Sequence, residues 1–346
     1  GKSSFFGEFI LDKNDRRRIL MWVLLGFLVG TLPCALSPNY PFLLFSRILS
    51  GLFGGLTSAL IFAIIGDAIP DQRRGRAMGL VMAAFSVASV VGVPFGLFIA
   101  SMSNWHAPFF FLALLAIIIL GLIYKFVPSI TVPKSEGNVK PSPLEVIRRV
   151  TNNGNQMRAI SLTVMMMLGQ FMVIPFLSPF MVANVGFSEI QLTYIYMAGG
   201  FFTVFTSPWV GRLTDKYGKI PIFTIFMSLN VIPIGIITHL GTTPIVLALL
   251  ISTLFFVTSN GRMVPAAALI TGTAKAENRG SFLSFNSAVQ QLSSGLASFL
   301  GGLILVESPE GKLLNFEYIG YIAIIISLLC IPLIKRIKVV DQLSIK

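Results

Sequence analysis

The sequence predicts an all-α integral membrane protein built from two pseudo-symmetric bundles of six helices, with ten full helices and a fragment present in this chain. Three observations lead to this prediction. Hydrophobic residues make up 54% of the chain and charged residues only 12%. Ten apolar segments are long enough to cross a bilayer as helices. A short charged loop occurs twice, at positions 203 residues apart, which indicates an internal repeat.

The composition argues against a water-soluble protein, because soluble domains carry about 25% charged residues. The mean hydropathy of this chain is +0.82. Its net charge of +12 lies in alternate loops rather than on one face, so we expect no nucleic-acid partner. The only histidines, His106 and His239, lack metal-ligand spacing, and the sequence contains no nucleophile or phosphate-loop motif. We therefore expect neither an enzyme nor a bound metal or cofactor.

The ten apolar segments are interpreted as transmembrane helices, since continuous apolar runs of about 20 residues span lipid as helices. In chain order they are Ile19–Leu36, Phe42–Ile69, Ala77–Met102, Pro108–Val127, Ile160–Val182, Leu192–Val210, Ile220–His239, Pro244–Ile270, Phe282–Val306 and Phe316–Ile334. The stretch Gly1–Leu11 is too short to span and is interpreted as the end of another helix. We therefore expect one helix and most of a second, roughly 40 residues, to precede Gly1 in the natural protein.

The distribution of Lys and Arg predicts the orientation in the membrane. Alternate loops and the C-terminal tail hold 22 of the 26 basic residues, whereas the opposite loops hold only Lys312. Basic loops face the cytoplasm. We expect a multi-pass protein of the cell membrane, the bacterial inner membrane, whose central linker and C-terminus are cytoplasmic.

The charged loop that repeats is Gly211–Pro221, which lies between two apolar segments. Its glycines permit a tight turn, and its charged residues cannot lie in hydrocarbon. A degraded copy, Asp12–Arg18, keeps the aspartate and the basic residues but has Glu8 and Asp15 at the glycine positions. The pattern resembles the signature loop of the major facilitator superfamily. This resemblance implies two six-helix halves that transport a small molecule by alternating access.

The repeat and the resemblance predict three parts. Residues 1–127 form the N-terminal bundle, incomplete at its start; residues 128–156 form a cytoplasmic linker; and residues 157–346 form the C-terminal bundle. Within the linker, Leu144, Ile147 and Val150 are three residues apart, with Arg148 and Arg149 beside them. This spacing fits either a short amphipathic helix on the inner leaflet or a solvated loop.

Arg262 is the candidate substrate-binding residue that the sequence singles out. It lies eight residues before the cytoplasmic end of its predicted helix, about 12 Å into the membrane. Asn260 and Pro265 flank it. We expect this cation to hold an anionic or polar substrate, or a carboxylate, in a central cavity. The alternatives are a structural arginine bonded to the helix carbonyls that Pro265 frees, and an arginine whose side chain extends to the membrane interface.

Further polar residues in predicted helices are candidates for the substrate pathway. Asn286 and Gln290 form a polar stripe with Ser293, and Gln291 is adjacent. This stripe either lines the pathway or links helices by hydrogen bonds. Gln170 and Phe171 follow three methionines, a composition that suits an adaptable site for an amphipathic ligand or a lipid-facing surface.

Two features of the first half resemble motifs of superfamily antiporters. Arg47 lies four residues before Gly51, as in a motif proposed to assist proton transfer; the alternative is that its side chain extends to the outer interface. The run from Gly92 through Pro94 to Gly96 resembles the antiporter motif, with its proline displaced by one place. These glycines would allow close helix packing, and the proline a kink, at a helix-packing seam.

Charged residues near the cytoplasmic helix ends are candidates for a gate. By resemblance, Asp12, Arg16 and Asp67 form a charge cluster that closes the cytoplasmic side. Asp215 and Lys219 form the equivalent in the second half, where the position matching Asp67 falls near the uncharged Gly272. The alternative is that these charges only set the topology.

Together these features predict a secondary active transporter that exports a small drug-like or sugar-like molecule in exchange for protons. The resemblance is to the bacterial sugar- and drug-efflux branch. None of the fourteen acidic residues lies mid-helix, so a proton-carrying carboxylate either precedes Gly1 or is absent because transport is not proton-driven. The alternatives are a facilitator or importer of an amphipathic anion or lysolipid, and a non-transporting receptor or scaffold. We expect a monomer whose partners are the substrate, protons and the lipid bilayer.

Overall fold

A computed structural model describes residues 15–68, 81, 88, 92–127, 143–274 and 278–339 of the chain. These residues form α1 (Arg16–Ala35), α2 (Tyr40–Ala68), α3 (Val93–Met102), α4 (Ala107–Phe126), α5 (Pro143–Asn152), α6 (Gly154–Phe171), α7 (Ile174–Phe180), α8 (Glu189–Tyr217), α9 (Lys219–Thr238), α10 (Ile245–Thr271), α11 (Arg279–Ile304) and α12 (Phe316–Ile334). A short antiparallel hairpin, β1 (Val306–Glu307) and β2 (Leu313–Leu314), joins α11 to α12.

The helices are long and apolar enough to span a membrane in six places within the described residues. These are Arg16–Ala35, Ala107–Phe126, Gly154–Val185, Lys219–Thr238, Ile245–Thr271 and Phe316–Ile334. Three further helices, α2, α8 and α11, are 26 to 29 residues long. The predicted all-α membrane fold is confirmed.

The chain divides into two compact units that share one packing arrangement. The first contains α1, α2 and α4, and the second contains the other described elements, with most of α3 among them. In the first unit α1 packs against α2 and α4; in the second, α9 packs against α10 and α12 in the same way. This shared pairing supports the internal repeat, while the domain boundaries at 127 and 156 stay a prediction.

The charged loop is shorter in the structure than the sequence predicts. Helix α8 continues past Val210 to Tyr217, and α9 begins at Lys219, so Gly218 alone separates the two helices. The predicted helix ends at 210 and 220 are therefore wrong by seven residues and one residue. The reason is that α8, at 29 residues, is about 43 Å long and carries its charged last turns beyond a bilayer core of about 30 Å.

Gly218 has a backbone conformation that is essentially restricted to glycine, with φ 92° and ψ 156°. We expect Gly218→Ala to lower the free energy of unfolding by about 1–3 kcal/mol. Thermal unfolding of the detergent-purified protein would measure this loss. The matched control is Gly211→Ala in the interior of α8, where an added Cβ would have no atom within 4 Å. It should be neutral or slightly stabilising; equal losses at both positions would contradict this account.

At the equivalent junction of the first unit, Asp15 takes the place of Gly218. It has an extended backbone (φ −101°, ψ 99°), and its carboxylate accepts the backbone N–H of Arg17 at 3.0 Å, which caps α1. Asp15 also lies 3.6 Å from the Arg18 Nε. Helices α1 and α9 therefore start at equivalent positions of the repeat, one after a capping carboxylate and one after a glycine.

The predicted helix Ile160–Val182 is broken in the structure. Helix α6 ends at Phe171, α7 begins at Ile174, and a π-helical turn follows at Met181–Val185. Pro175 lies just after the break; it has no N–H for the carbonyl of Phe171 and its ring would clash there. The Ser298 hydroxyl of α11 lies 3.4 Å from that carbonyl oxygen and donates to it.

Candidate functional site

A layer of polar side chains divides the interior of the second unit into two apolar clusters. One cluster includes Val173, Ile234, Phe255, Ala297 and Ala323. The other includes Met167, Met227, Ala266, Phe282 and Cys330. Along five helices, polar residues occupy the stretch between the two clusters. They are Gln170 on α6, Asn230 on α9, Ser259 and Arg262 on α10, Asn286 and Ser293 on α11, and Ser327 on α12.

Arg262 is the central residue of this layer and is fully buried, with a relative exposure of 0%. Its Nη1 donates to the Met227 sulfur at 3.2 Å and to the Ser327 hydroxyl at 3.3 Å. Its Nη2 donates to Gln170 Oε1 at 3.4 Å. One guanidinium therefore connects α10 with α6, α9 and α12.

The charge of Arg262 has no acidic partner among the described residues. All three of its hydrogen-bond acceptors are neutral, and its Nε has no partner in the described part of the chain. An unpaired buried cation costs several kcal/mol of desolvation. Such a cost makes Arg262 a candidate for a functional residue, and its role in the site stays a prediction.

The contact with Arg262 fixes the orientation of the Gln170 amide. A guanidinium only donates hydrogen bonds, so the amide oxygen of Gln170 must face it. The amide nitrogen then points away from Arg262 with two N–H donors. Gln170 is half-buried, whereas Arg262, Met227 and Ser327 are buried, so Gln170 is the least buried member of this cluster.

Four other side-chain hydrogen bonds join helices of the second unit. The Ser207 hydroxyl of α8 donates to Asn260 at 2.8 Å, and the Thr163 hydroxyl of α6 donates to Asn286 at 2.7 Å. Asn230 is fully buried and donates to the hydroxyls of Thr258 and Ser259, at 2.8 and 3.0 Å. Its Oδ1 is a buried acceptor without a partner in the described residues.

The remaining candidates for the substrate pathway are more dispersed. Gln290 is half-buried, and Gln291 is exposed on α11. Phe171 is half-buried at the end of α6, beside the break. The structure thus joins Gln170 directly to Arg262 and links Asn260 and Asn286 to other helices, while the substrate-binding role of the whole set stays a prediction.

In the first unit, Arg47 is exposed near the start of α2 and lies over the ring of Phe109, 5.6 Å from the ring centroid. This cation–π contact holds the guanidinium near one end of α4. Its coupling role stays a prediction. A Cβ added at Gly92 or Gly96 would have no atom within 4 Å, and the side chain of Pro94 lies outside the described residues.

The predicted gate is only partly described. Asp12 and the side chain of Asp67 lie outside the described residues, and Arg16 is the first residue of α1. Asp215 is exposed on the last turns of α8, and Lys219 begins α9. Neither of these two makes an ion pair with another residue in the described part of the chain. The gate stays a prediction.

Sequence reasoning missed several members of the polar layer: Met227, Asn230, Ser259 and Ser327. Hydroxyl and thioether side chains are common in membrane helices and give no distinct signal. Asn230 was detectable, because it is an amide within the apolar segment Ile220–His239.

Comparisons with known proteins agree with this architecture. The family model of the Major Facilitator Superfamily matches residues 3–258 and, in a second alignment, 159–342. An uncharacterized MFS-type transporter of Bacillus subtilis, YbcL, is 26% identical over 325 residues, which cover 92% of this chain and 79% of YbcL. The putative transporter AraJ of Escherichia coli is 23% identical over 309 residues, covering 85% of this chain and 73% of AraJ.

Two further likenesses bear on function and fold. A probable sugar efflux transporter of Mannheimia succiniciproducens is 25% identical over 235 residues, or 67% of this chain and 56% of that protein. The crystal structure of a D-xylose-proton symporter superposes with a TM-score of 0.70, covering 91% of this chain and 80% of the symporter. At 19% identity, this structural likeness shows the fold alone.

Proposed function

The chain belongs to the major facilitator superfamily and is a multi-pass membrane transporter, and from that premise we propose that it exports a small polar organic molecule in exchange for protons. The substrate class is a neutral molecule rich in hydroxyl or carbonyl oxygens, such as a sugar. Relatives that are named as sugar efflux transporters support this class and this direction. The protein would act in a bacterial inner membrane, exposing its site alternately to the two sides.

The observation that carries this proposal is the orientation of the Gln170 amide. Arg262 occupies the amide oxygen, which leaves the N–H donors for a ligand. Two N–H groups at one point select an acceptor oxygen in the substrate. The buried cation behind them strengthens the polarity of the amide without contacting the substrate itself.

The alternative substrate is an amphipathic anion, taken up or released without proton exchange. The specific observation in its favour is that Arg262 has no carboxylate partner among the described residues. An anionic headgroup that reached the guanidinium would neutralise it. The full burial of Arg262 favours the neutral substrate, because an anion would first have to displace Gln170 or Ser327.

Counterflow in proteoliposomes tests the proposal. Vesicles preloaded with an unlabelled pentose or hexose should accumulate the labelled sugar transiently, and an imposed pH gradient should change the rate. Counterflow of a labelled lysolipid or fatty acid in place of the sugars would establish the alternative. Saturable binding of a sugar without counterflow would indicate a receptor.

We expect Gln170→Glu to lower sugar counterflow by roughly ten- to a hundredfold, because the acceptor oxygen of the substrate would be buried without a donor. A carboxylate still accepts from Arg262, more strongly than the amide, but has no N–H to donate. Helix packing should therefore be retained while the substrate loses its donor. The measurement is the initial counterflow rate, with the thermal unfolding midpoint as a check on folding.

The matched control for Gln170→Glu is Asn153→Asp, at the residue that precedes the same helix. Asn153 caps α6 by accepting the backbone N–H groups of Asn155 and Gln156, which an aspartate does equally well. This amide-to-acid change should leave counterflow unchanged. A wild-type rate in Gln170→Glu would show that the amide donors do not bind the substrate.

A further inference from the structure

One end of the second unit carries a group of exposed cations. Arg158 lies on the second turn of α6, and Lys335, Arg336 and Lys338 follow the end of α12. All four side chains are exposed, and none forms an ion pair with another residue in the described part of the chain. We call these four residues the basic cluster.

The basic cluster is held together by specific contacts. The Arg158 guanidinium donates to the carbonyl oxygen of Arg336 at 3.4 Å. The Asn155 side chain makes two hydrogen bonds with the backbone of Lys338. Its Nδ2 donates to the carbonyl of Lys338 at 2.6 Å, and its Oδ1 accepts the Lys338 N–H at 2.8 Å. The chain after α12 is therefore fixed along the start of α6.

Apolar residues anchor the same segment, so that only its cations face outward. Ile337 is buried with a relative exposure of 3%, and it belongs to the apolar cluster that contains Met167 and Met227. Val339 packs against that cluster and lies close to Gly272. Exposed cations thus alternate with inserted aliphatic side chains along residues 336–339.

Helix α5 adds two more cations at this end of the unit. Its Val150 is buried in the same apolar cluster, and its Arg148 and Arg149 are exposed. Arg149 is already engaged, by Glu145 at 3.3 Å and by the Asn278 side chain. At the opposite end, after α11, the one basic residue is Lys312, with Glu307 and Glu310 beside it in the sequence. The positive charge is therefore concentrated at one end.

We propose that the basic cluster binds the phosphate group of an anionic phospholipid, such as phosphatidylglycerol. The cluster lies where α6 begins and α12 ends; these helices pack together, and each belongs to a segment that is long and apolar enough to span a membrane. Helix ends of this kind lie at the level of the lipid headgroups. Cations held close together repel one another, and an anion between them removes that repulsion. Basic sites between membrane helices bind lipid phosphates for this reason.

The test is the lipid preference of the purified protein in proteoliposomes. Spin-labelled phosphatidylglycerol and phosphatidylcholine would be compared by the fraction of each that is immobilised at the protein. We expect the preference for phosphatidylglycerol to fall at least about fivefold in Arg336→Gln/Lys338→Gln. It should also fall in Asn155→Ala, which keeps every cation but releases the segment around Lys338.

The control is Arg212→Gln/Lys216→Gln, which removes two exposed cations from the end of α8. This change should leave the preference unchanged, since these residues lie outside the basic cluster. An equal loss in the control would show that diffuse charge, and not a built site, attracts the lipid. Displacement of the labelled lipid by millimolar inorganic phosphate would overturn the proposal in favour of a site for free phosphate. Thermal unfolding midpoints would confirm that each variant is folded.

Discussion

Replacing Arg262 with methionine is expected to lower sugar counterflow by roughly ten- to a hundredfold while leaving the protein as stable as before, or more so. A hydrogen bond from a charged group to Gln170 contributes about 1.5–3 kcal/mol, and its loss frees the amide to turn its oxygen toward the substrate. This loss corresponds to the expected fall in rate. Counterflow in proteoliposomes measures it.

The stability of Arg262→Met should not fall with its transport rate; it should stay the same or rise. Exchanging a buried charge for a well-packed apolar side chain is often neutral or stabilising by about 1–4 kcal/mol. Methionine has a similar length, and the thioether of Met227 is already adjacent. Thermal unfolding in detergent separates the two effects. A normal transport rate in Arg262→Met would show that Arg262 has no part in the site. A loss of folded yield in this variant would show that Arg262 is needed for the structure.

Arg262→Lys is the companion variant. It keeps the charge but has a single ammonium group in place of the fork that contacts Gln170, Met227 and Ser327 together. We expect an intermediate counterflow rate. A rate as low as that of Arg262→Met would mean that the shape of the guanidinium, rather than its charge, positions the amide.

The second large effect is expected in the first unit, where Gly30→Ala should lower the free energy of unfolding by about 3 kcal/mol. An added Cβ would lie 2.5 Å from the backbone nitrogen of Ser50 and 2.7 Å from its Cα. No side-chain rotation relieves an overlap with backbone atoms. Helices α1 and α2 would have to separate along the most extensive helix contact of that unit.

Thermal unfolding and the yield of folded protein after extraction measure the effect of Gly30→Ala. The matched control is Gly55→Ala on α2, where an added Cβ would have no atom within 4 Å. Alanine is the better helix former, so this control should be neutral or stabilising by about 0.5–1 kcal/mol. Equal effects of the two substitutions would mean that α1 and α2 do not pack closely at Gly30.

The positions of the long apolar helices follow from the sequence, whereas the exact helix ends and the breaks within helices follow only in part. Helices as long and apolar as α9 and α12 are predictable because lipid leaves few alternatives for such segments. The end of α8 was not predictable from charge alone, since a helix can continue beyond the membrane. The break after Phe171 had a signal in Pro175, but proline occurs inside α9 and α12 without such a break.

The sequence predicted that Arg262 lies deep inside a membrane helix, but it did not predict which residues Arg262 contacts. Arg262 is prominent because a cation rarely lies so far inside an apolar helix. Its contacts with Gln170, Met227 and Ser327 depend on how four helices rotate and pack, which no spacing within one helix encodes. The same packing determines that Gln170, and not Gln291, faces the guanidinium.

The junctions at Asp15 and Gly218 show that equivalent positions of the repeat begin a helix in two different ways. One starts its helix with a carboxylate that needs an extended backbone, and the other with a dihedral pair that tolerates no side chain. Each solution excludes the other, because glycine has no side chain to accept the helix N–H groups and aspartate is strained at φ 92° with ψ 156°. A chimera that exchanged the two junctions should therefore lose stability at both, so these two positions of the repeat are not interchangeable.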